Sequence, residues 1–301
     1  MNQTSSSLPT TIPIMTEVSQ QIYPGSTLYV VATPIGNMGD ITLRALHALS
    51  LVDAVACEDT RDTAQLLARY GLSKPLIAAH QHNEREAAAK LIAHLRAGER
   101  IALVSDAGTP AVSDPGARIV DAVRDAGLRV MPLPGPSAAI GALSAGGLIN
   151  DRFYFAGFLP AKAKQRDAAL AELKNIPATL VFYEAPHRII DTAGAMEKIF
   201  GETRRIVLAR ELTKLFEEIH RGPLSGAVAW LTADTHRQKG EFVILVEGAS
   251  AAADAGDAET ERVLSILLSE CSVKQAATLA AQITGQKKSA LYERALRMRA
   301  K

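Results

Sequence analysis

Five short segments of this sequence carry glycine, proline or polar residues directly after an apolar run. They are TPIGN (33–37), CEDTR (57–61), HQHNE (80–84), SDAGTP (105–110) and PGPSA (134–138). Carboxylates and imidazoles in such loops can exchange protons, and tight turns let backbone amides and carbonyls approach a ligand closely. One such segment would indicate only a turn. Five in equivalent positions predict a shared binding or catalytic site.

The sequence carries none of the common nucleotide- or metal-binding signatures. No G-x-G-x-x-G follows the first apolar run, and neither G-x-x-x-x-G-K-[ST] nor H-E-x-x-H occurs. Their absence disfavours a dinucleotide-binding fold, a nucleotide triphosphatase and a helical zinc site. His80 and His82 stand two apart on a predicted loop, which is a weak spacing for a metal ion. We therefore expect no metal.

The cysteines and the longest uncharged stretch limit where the protein can act. Cys57 and Cys271 are the two cysteines, and neither belongs to a C-x-x-C pair. This pattern excludes a disulfide framework and a cysteine-rich zinc site, and it favours the reducing cytoplasm. Residues 130–150 are uncharged, but Pro132, Pro134 and Pro136 interrupt them, so they predict a strand, a loop and a helix instead of a membrane span.

In the first half of the chain, apolar runs alternate with helical patterns. Asp40 is expected to cap the first helix, and Asn83 with Glu86 to form a capping box. This alternation predicts a mainly parallel sheet with helices on both faces, and the carboxyl ends of its strands bring the five segments to one edge. Strands are predicted at 27–33, 53–58, 74–80, 100–106 and 128–133, and helices at 40–49, 64–70, 83–95 and 119–126.

The second half differs, because five aromatic or β-branched runs have only two or three helical patterns between them, which predicts a mixed α/β domain. A small-residue segment and three helical patterns follow, with a capping box predicted at Ser272 and Gln275 and a helix end at Gly285. The predicted organisation is a disordered Ser/Thr-rich tail (1–26), an N-terminal α/β domain (27–150), a mixed α/β domain (151–248), a linker (249–258) and a helix-turn-helix-like extension (259–301).

The overall charge is uninformative, but its distribution is not. The formal net charge is +1, whereas residues 271–301 hold seven Lys or Arg and one Glu, a local net charge of +6. A second basic cluster, Lys162, Lys164 and Arg166, follows the GFLP motif. Such clusters favour contact with nucleic-acid phosphates. The alternative is a solvated helix face that binds nothing.

Several motifs together give the chain a resemblance to the tetrapyrrole methylase superfamily: TPIGN, SDAGTPAVSDPG (105–116), PLPGPSA (132–138), FYEAPHR (182–188) and ARELTK (209–214). Within it, VATPIGN, CEDTR, HNE and GFLPAK resemble the ribosomal small subunit methyltransferase I family. That family uses S-adenosylmethionine to methylate the 2′-hydroxyl of a decoding-site cytidine in 16S rRNA. The resemblance covers residues 27–248, and the helical tail resembles the family's small helix-turn-helix extension.

The resemblance implies a fold of two α/β domains, a cofactor cleft between them, a homodimer and 16S rRNA of the small ribosomal subunit or its precursor as partner. Asp106 has the alternative role of an Asx-turn residue, and Tyr183 that of a core aromatic. The residues implied to bind S-adenosylmethionine are Pro34, Ile35, Gly36, Asp106, Gly108, Ser137, Ala138, Tyr183, Leu212, Gly240, Glu241 and Phe242.

Methyl transfer to a ribose hydroxyl needs alignment and profits from a base, because the hydroxyl is protonated at neutral pH. Candidate bases are Glu58, Asp59 and His82, with support from Arg61 and Asn83. An equally open interpretation makes Glu58, Asp59 and Arg61 a local ion-pair cluster at a helix start. The residues expected to contact RNA are Lys162, Lys164, Arg166, His187, Arg188, Lys287, Lys288 and Arg294.

Two other functions compete with rRNA ribose methylation. A small-molecule methyltransferase acting on tetrapyrroles would leave the basic tail and the CEDTR motif unexplained. A noncatalytic RNA-binding assembly factor would not require five loops to meet at a cofactor cleft.

Overall fold

The computed structural model describes residues 14–249 and 254–299, which form two five-stranded sheets and a C-terminal group of three helices. The first half contains α1 (Ile14–Ser19), β1 (Thr27–Val31), α2 (Leu43–Leu51), β2 (Ala54–Cys57), α3 (Thr60–Arg69), β3 (Leu76–Ala78), α4 (Glu84–Arg96), β4 (Arg100–Leu103), α5 (Ala117–Asp125), β5 (Arg129–Leu133) and α6 (Ala138–Gly146).

The second half continues the chain into the other sheet and the C-terminal helices. Its elements are β6 (Phe153–Phe158), α7 (Ala163–Leu173), β7 (Thr179–Glu184), α8 (Ile189–Phe200), β8 (Arg205–Arg210), β9 (Glu218–Pro223), α9 (Leu224–Thr232), β10 (Phe242–Val246), α10 (Asp254–Glu270), α11 (Val273–Thr284) and α12 (Lys288–Arg299). Short 3-10 turns occupy Met38–Asp40, Pro186–Arg188 and Thr235–Gln238.

The first sheet is parallel throughout, in the order β3-β2-β4-β1-β5. The strand order reverses between β4 and β1: the connection after β1 leads towards one edge of the sheet and the connection after β4 leads towards the other. The loops after these two strands therefore diverge and leave a crevice at their carboxyl ends. The side chains of β2 are buried on both faces, as a strand covered by helices on each side requires. The predicted parallel sheet is therefore confirmed, with strands one to four residues shorter than the sequence indicates.

The second sheet is mixed, in the order β6-β7-β10-β8-β9, with β6 and β7 parallel and the other pairs antiparallel. One face packs against α8 and α9 around Phe182, Met196 and Ile244. The other face is covered by α6, whose Ala139 and Ala142 lie in a core with strands of this sheet. Thus α6 follows the last strand of the first sheet but packs on the second, which joins the two halves.

The N-terminal tail and the linker differ from the prediction. Residues 14–26 are ordered: Val18 and Tyr23 are buried, and the Tyr23 carbonyl accepts a hydrogen bond from Arg100 Nε at 2.9 Å. The predicted disorder is therefore wrong for 14–26, because apolar side chains among the Ser and Thr find a place against the first sheet. Residues 1–13 lie outside the described residues. Helix α10 begins at Asp254, within the predicted linker, and residues 250–253 also lie outside the described residues.

Two of the predicted caps are wrong and one is confirmed. Thr42, not Asp40, caps α2 by accepting the Ala45 N–H at 3.1 Å, while Asp40 ends a 3-10 turn. Asn83 precedes α4 but gives its side chain to the preceding turn instead of to the helix. The capping box of Ser272 opens α11 as predicted, and Gly285 ends that helix in the left-handed conformation. Within the described ranges, none of the helices has the length and apolar character needed to cross a bilayer.

Glu84 ties the start of α4 to the long loop before α5. Its carboxylate is buried, accepts the Gly116 N–H at 2.8 Å and lies 3.7 Å from Arg118 Nε. Because a buried N–H that loses its acceptor is costly, we expect Glu84→Ala to lower the free energy of unfolding by about 1–3 kcal/mol, measured by urea denaturation. Glu86→Ala removes an exposed carboxylate on the same helix and is the control. Equal stability of the two variants would contradict this anchoring role.

Candidate active site

A cavity of about 430 Å³ lies between the loops of the first sheet and the inner strands of the second. Its first-half wall comes from the segments after β1, β2, β4 and β5, and its second-half wall from β6, β7, β8, β10 and the loops after them. We call it the first cavity; it is lined by Ile35, Glu58, Asp106, Ala107, Gly108, Thr109, Val112, Ser113, Asp114, Ser137, Ala138, Phe158, Tyr183, Glu184, Ala185, Pro186, Ala209, Leu212, Lys214, Glu241, Phe242 and Val243.

Hydrogen bonds hold three of the loops together at the crevice of the first sheet. Thr33 and Gly108 form an antiparallel bridge, with N···O distances of 2.9 and 3.0 Å. The Thr33 hydroxyl donates to the Ser105 carbonyl at 3.1 Å, and the Thr109 hydroxyl donates to the Pro136 carbonyl, also at 3.1 Å. Gly108 has φ +79°, a conformation that favours glycine. The wall is thus built from fixed backbone.

The loop after β8 forms the opposite wall in a strained conformation. Glu211 and Thr213 have φ of 50° and 67°, which is unfavourable for residues other than glycine. Lys214 Nζ holds the loop by donating to carboxylate oxygens of Glu211 and Glu241, each at 2.8 Å. The Lys214 side chain also packs on Gly36, where a Cβ atom would overlap it. This contact joins the two walls, and the loop presents Leu212 to the cavity.

Tyr183 lies where β7 meets α6. Its hydroxyl oxygen accepts the Ala139 N–H at 3.3 Å, and the rings of Phe155 and Phe158 meet it edge-on, with centroids 5.1 and 5.6 Å away. Burial raises the pKa of the phenol above its usual range, so the group stays neutral at physiological pH. Tyr183 therefore belongs both to the core and to the cavity wall.

Three carboxylates, Glu58, Asp106 and Asp114, gather at one end of the first cavity. Burial, reinforced by Glu58 and Asp106, raises the pKa of Asp114 from 3.8 to about 6. Burial and Asp106 also raise the pKa of Glu58, which His80 partly offsets. Among the described residues, no Lys or Arg forms an ion pair with any of the three. The end of the cavity therefore carries negative charge that a cationic ligand would neutralise.

A second cavity of about 580 Å³ adjoins the first, and the two share Glu58, Ser113 and Asp114. Each of the five segments singled out in the sequence contributes to the wall of at least one of these cavities. The second cavity is completed by Gln81, His82, Glu84, Pro115, Ala117 and Arg118.

Most residues expected at the cofactor cleft line the first cavity, and three lie behind its wall. Pro34, Gly36 and Gly240 are not among the lining residues. Gly36 makes room for Lys214, and Gly240, at φ +86°, packs against the Glu211 side chain. The expected residues in the wall are Ile35, Asp106, Gly108, Ser137, Ala138, Tyr183, Leu212, Glu241 and Phe242.

Only two of the five expected catalytic residues, Glu58 and His82, line a cavity. Asp59 caps α3 by accepting the Arg61 and Asp62 N–H groups at 2.7 and 3.3 Å, and these bonds lower the pKa of its carboxyl. The Arg61 side chain is 87% exposed and pairs with Asp59 at 3.5 Å. For these two residues the geometry matches the ion-pair interpretation and not the catalytic one.

Asn83 also serves local structure. Its side-chain oxygen accepts the His80 N–H at 2.8 Å, and its amide group donates to the Ala78 carbonyl at 3.0 Å. These two bonds fix the turn that carries His82 to the second cavity. Asn83 is outside both cavity walls, so its expected support of catalysis is limited to holding this turn.

The three arginines expected to contact RNA are either buried or paired with carboxylates of the protein. Arg166 is buried. Arg188 pairs with Glu184 at 3.2 Å and donates to the Leu159 carbonyl at 2.6 Å, and Arg294 pairs with Glu261 at 3.0 Å. Phosphate contact is therefore the wrong expectation for Arg166 and Arg188, whose heads are enclosed. The expected RNA contacts that are exposed are Lys162, Lys164, His187, Lys287 and Lys288.

Two residues of the site, Asp114 and Lys214, lie inside recognised motifs but were not expected there. Asp114 lies eleven residues after the end of β4. It returns to the carboxyl ends of the strands only because the loop between β4 and α5 folds back, held by the bond of Gly116 to Glu84. Lys214 gains its place through the strained turn after β8. The neighbouring Pro115 and Gly116 indicate a turn, but no spacing rule gives the direction of the Asp114 side chain.

Comparison with known proteins decides the family. Residues 27–228 match the family described as Tetrapyrrole (Corrin/Porphyrin) Methylases, and residues 254–299 match the RsmI C-terminal HTH domain. The chain is 52% identical to ribosomal RNA small subunit methyltransferase I of Escherichia coli O157:H7, over 89% of this chain and 94% of that protein. The chain belongs to the ribosomal RNA small subunit methyltransferase I family. The protein of the same name from Pseudomonas aeruginosa is 50% identical, over 91% of this chain and 98% of that one.

Solved structures support the fold that this family shares with tetrapyrrole methylases. Uroporphyrin-III-C-methyltransferase from Thermus thermophilus has a TM-score of 0.54 at 22% identity, over 74% of this chain and 94% of that one. Cobalt precorrin-4 methyltransferase has a TM-score of 0.55 at 17% identity, over 74% and 95% of the two chains. The predicted fold class, two α/β units of the tetrapyrrole methylase type followed by a small helical extension, is confirmed.

The raised pKa of Asp114 makes stability depend on pH. Below about pH 4 the carboxyl is protonated in both folded and unfolded chains, whereas above about pH 6 folding must bury its charge. We expect wild-type stability to fall through this window relative to Asp114→Asn. The variant should be more stable by roughly 1–3 kcal/mol at pH 8 and nearly equal to wild type below pH 4.

Urea denaturation at several pH values measures this difference. Asp121→Asn, which removes an exposed carboxylate from α5, controls for the loss of one negative charge. A constant difference between Asp114→Asn and wild type from pH 4 to pH 8 would contradict the raised pKa.

Proposed function

We propose that this protein transfers the methyl group of S-adenosylmethionine to the 2′-hydroxyl of a decoding-site cytidine in 16S rRNA. The observation that carries the proposal is a cavity with an uncompensated carboxylate end that opens onto a second, polar cavity. Family membership supports the coarser function, an S-adenosylmethionine-dependent methyltransferase of small-subunit ribosomal RNA.

The first cavity fits S-adenosylmethionine in size and charge. Its volume of about 430 Å³ is in the range of small-molecule sites. Ile35, Leu212 and Val243 offer apolar surface for an adenosine, and the unpaired carboxylates suit a ligand with sulfonium and ammonium charges. When bound, the cofactor supplies an electrophilic methyl group. The residues that hold it are Ile35, Asp106, Gly108, Ser137, Ala138, Tyr183, Leu212, Glu241 and Phe242.

The protein contributes alignment, exclusion of water and a proton acceptor. The bridged loops at Thr33 and Gly108 and the strained loop at Leu212 fix the wall, so little reorganisation is needed before the reaction. Of the three candidate bases, Glu58 and His82 line the cavities. A carboxylate near the acceptor hydroxyl takes up the proton that methylation releases.

RNA is bound by exposed basic residues outside the cavities. Lys287 precedes α12 and Lys288 begins it, and Lys162 and Lys164 lie at the start of α7. The protein acts in the cytoplasm as a homodimer. The exposed apolar side chains of the second sheet and the loop after β8, Phe153, Tyr154, Phe158, Leu215 and Phe216, support an interface there.

Methylation of small ribosomal subunits tests the function directly. Subunits are isolated from a strain that lacks the corresponding gene and are incubated with the protein and S-adenosylmethionine, and 2′-O-methyl groups are then mapped along the 16S rRNA. We expect one new 2′-O-methyl group, on a cytidine at the decoding site. Methylation of a base, or of an added tetrapyrrole and not of the RNA, would overturn the proposal, and cofactor binding without any methylation would indicate an assembly factor.

Asp106 should contribute to cofactor affinity through its charge. We expect Asp106→Asn to weaken binding of S-adenosylmethionine about 10- to 100-fold, since the amide keeps an acceptor but loses the attraction for a cation. Isothermal titration calorimetry measures the affinity. Asp62→Asn, an exposed change on α3, is the control. If Asp106→Asn binds as tightly as the control, Asp106 serves only to hold its loop to the Asp59 N–H, which it accepts at 3.3 Å.

The two lysines at the start of α12, Lys287 and Lys288, should set part of the salt dependence of RNA binding. Each lost phosphate contact lowers the slope of log affinity against log salt by about 0.7 on single strands and about 0.9 on duplex. We expect Lys287→Ala with Lys288→Ala to weaken RNA binding and to reduce the slope by about 1.4–1.8, with cofactor affinity unchanged. Lys198→Ala on α8 is the control. Identical slopes for wild type and double variant would show that these lysines lie on a solvated helix face and do not contact RNA.

A further inference from the structure

The two cavities share part of their wall. Only Glu58, Ser113 and Asp114 line both of them among the described residues. A reaction between a group held in one cavity and a group held in the other must therefore take place beside these three side chains. Two of the three are carboxylates, so the shared wall can accept a proton.

The loop that carries Asp114 is held rigidly despite its irregular path. Ala111 and Ser113 have φ of 68° and 63°, a strain that persists only where the surroundings impose it. The loop is fixed at one end by the bond between Gly116 and Glu84, and Gly157 of β6 approaches Ser113 so closely that a Cβ there would lie 2.9 Å from Ser113 Oγ. Asp114 is consequently placed by both halves of the protein.

The second cavity has the polar groups that a nucleotide needs. Gln81 and His82 supply hydrogen-bonding groups to its wall, and Arg118 places a guanidinium at its mouth, with a side chain that is 75% exposed. Arginine at an exposed mouth suits a phosphate, and amide and imidazole groups suit ribose hydroxyls or a base edge. The hydrogen-bonding side chains suit a ribose, and the exposed Arg118 guanidinium suits its phosphate, although Glu58, Glu84 and Asp114 also line the cavity and Arg118 lies 3.7 Å from Glu84.

We propose that the second cavity binds the acceptor nucleotide of the RNA and that Asp114 is the catalytic base, while Glu58 tunes its basicity. This inference rests on the proposed function. A lone pair of the 2′-oxygen forms the bond to the methyl carbon as the carbon–sulfur bond breaks. The electron pair of that bond stays on sulfur, which leaves as a neutral thioether, and the hydroxyl proton moves to the Asp114 carboxylate.

The surroundings of Asp114 suit this role. Glu58 and Asp106 face it as like charges, the Ser105 hydroxyl lies close enough to lower its pKa, and Tyr183 faces it from β7. His82, Glu84 and Arg118 stand in the second cavity. Burial and the two carboxylates give Asp114 a pKa of about 6, so it is ionised at neutral pH and still basic enough to hold a proton.

Single-turnover methylation of small subunits from pH 4.5 to pH 8, at saturating protein and cofactor, tests the base. We expect the wild-type rate to fall tenfold per pH unit below an inflection near the pKa of Asp114. Asp114→Asn should lose at least about 100-fold in rate and should lack the inflection. Glu58→Gln should move the inflection to lower pH, because it removes a like charge beside Asp114.

The outcomes separate the possible failures. Near-wild-type rate in Asp114→Asn, or loss of the inflection in Glu58→Gln alone, would overturn Asp114 as the base while leaving the proposed function intact. Absence of rRNA methylation by the wild type would overturn both. A loss of rate caused by misfolding is recognised from the unfolding curve of Asp114→Asn, which is recorded alongside. We expect this variant to be more stable than wild type at neutral pH.

RNA binding measured without cofactor tests the second cavity by a readout other than activity. We expect Arg118→Ala to weaken binding of a decoding-site RNA fragment about tenfold and to leave S-adenosylmethionine affinity unchanged. Arg124→Ala removes an exposed arginine from the same helix outside both cavities and is the matched control. If Arg118→Ala binds the fragment as tightly as Arg124→Ala does, the acceptor nucleotide is not held in the second cavity.

Discussion

The pair of hydrogen bonds between Thr33 and Gly108 is the interaction on which the site depends most. It joins the loops that follow β1 and β4, the two neighbouring strands at which the strand order reverses. Without it, the crevice expected at such a reversal would be open to water and lined by free loops. With it, the Ile35 and Asp106 segments become one surface, and Thr109 extends that surface to the loop before α6.

The second constraint is the way in which the two sheets face each other across this surface. Helix α6 covers one face of the second sheet, and Lys214 reaches from the second sheet to Gly36 in the first. The first contact is apolar and sets the distance between the halves. The second is a charged side chain held by two carboxylates, which fixes one strained loop against the opposite wall. The first cavity is the space that these two contacts leave.

The sequence predicted well what periodicity and turn chemistry determine. The strands of both sheets, the capping box at Ser272 and the convergence of five loops all follow from local patterns. Predictions failed where a distant partner decided the outcome. Arg166 and Arg188 carry the charge expected of phosphate contacts, but burial of one and the carbonyl of Leu159 beside the other enclose them. Asp114 was not expected in the site, because its direction depends on a tie between Glu84 and Gly116, thirty-two residues apart.

The position of α6 has a consequence for how the protein is made and cut. The helix is synthesised with the first sheet, but its apolar face has no cover until β10 pairs between β7 and β8, about a hundred residues later. Contacts of such long sequence separation form late. The first cavity therefore comes into existence only when β10 is in place, and a nascent chain cannot bind ligand before that. A protease cut between α6 and β6 would leave two fragments that the apolar contact of α6 with the second sheet still holds together.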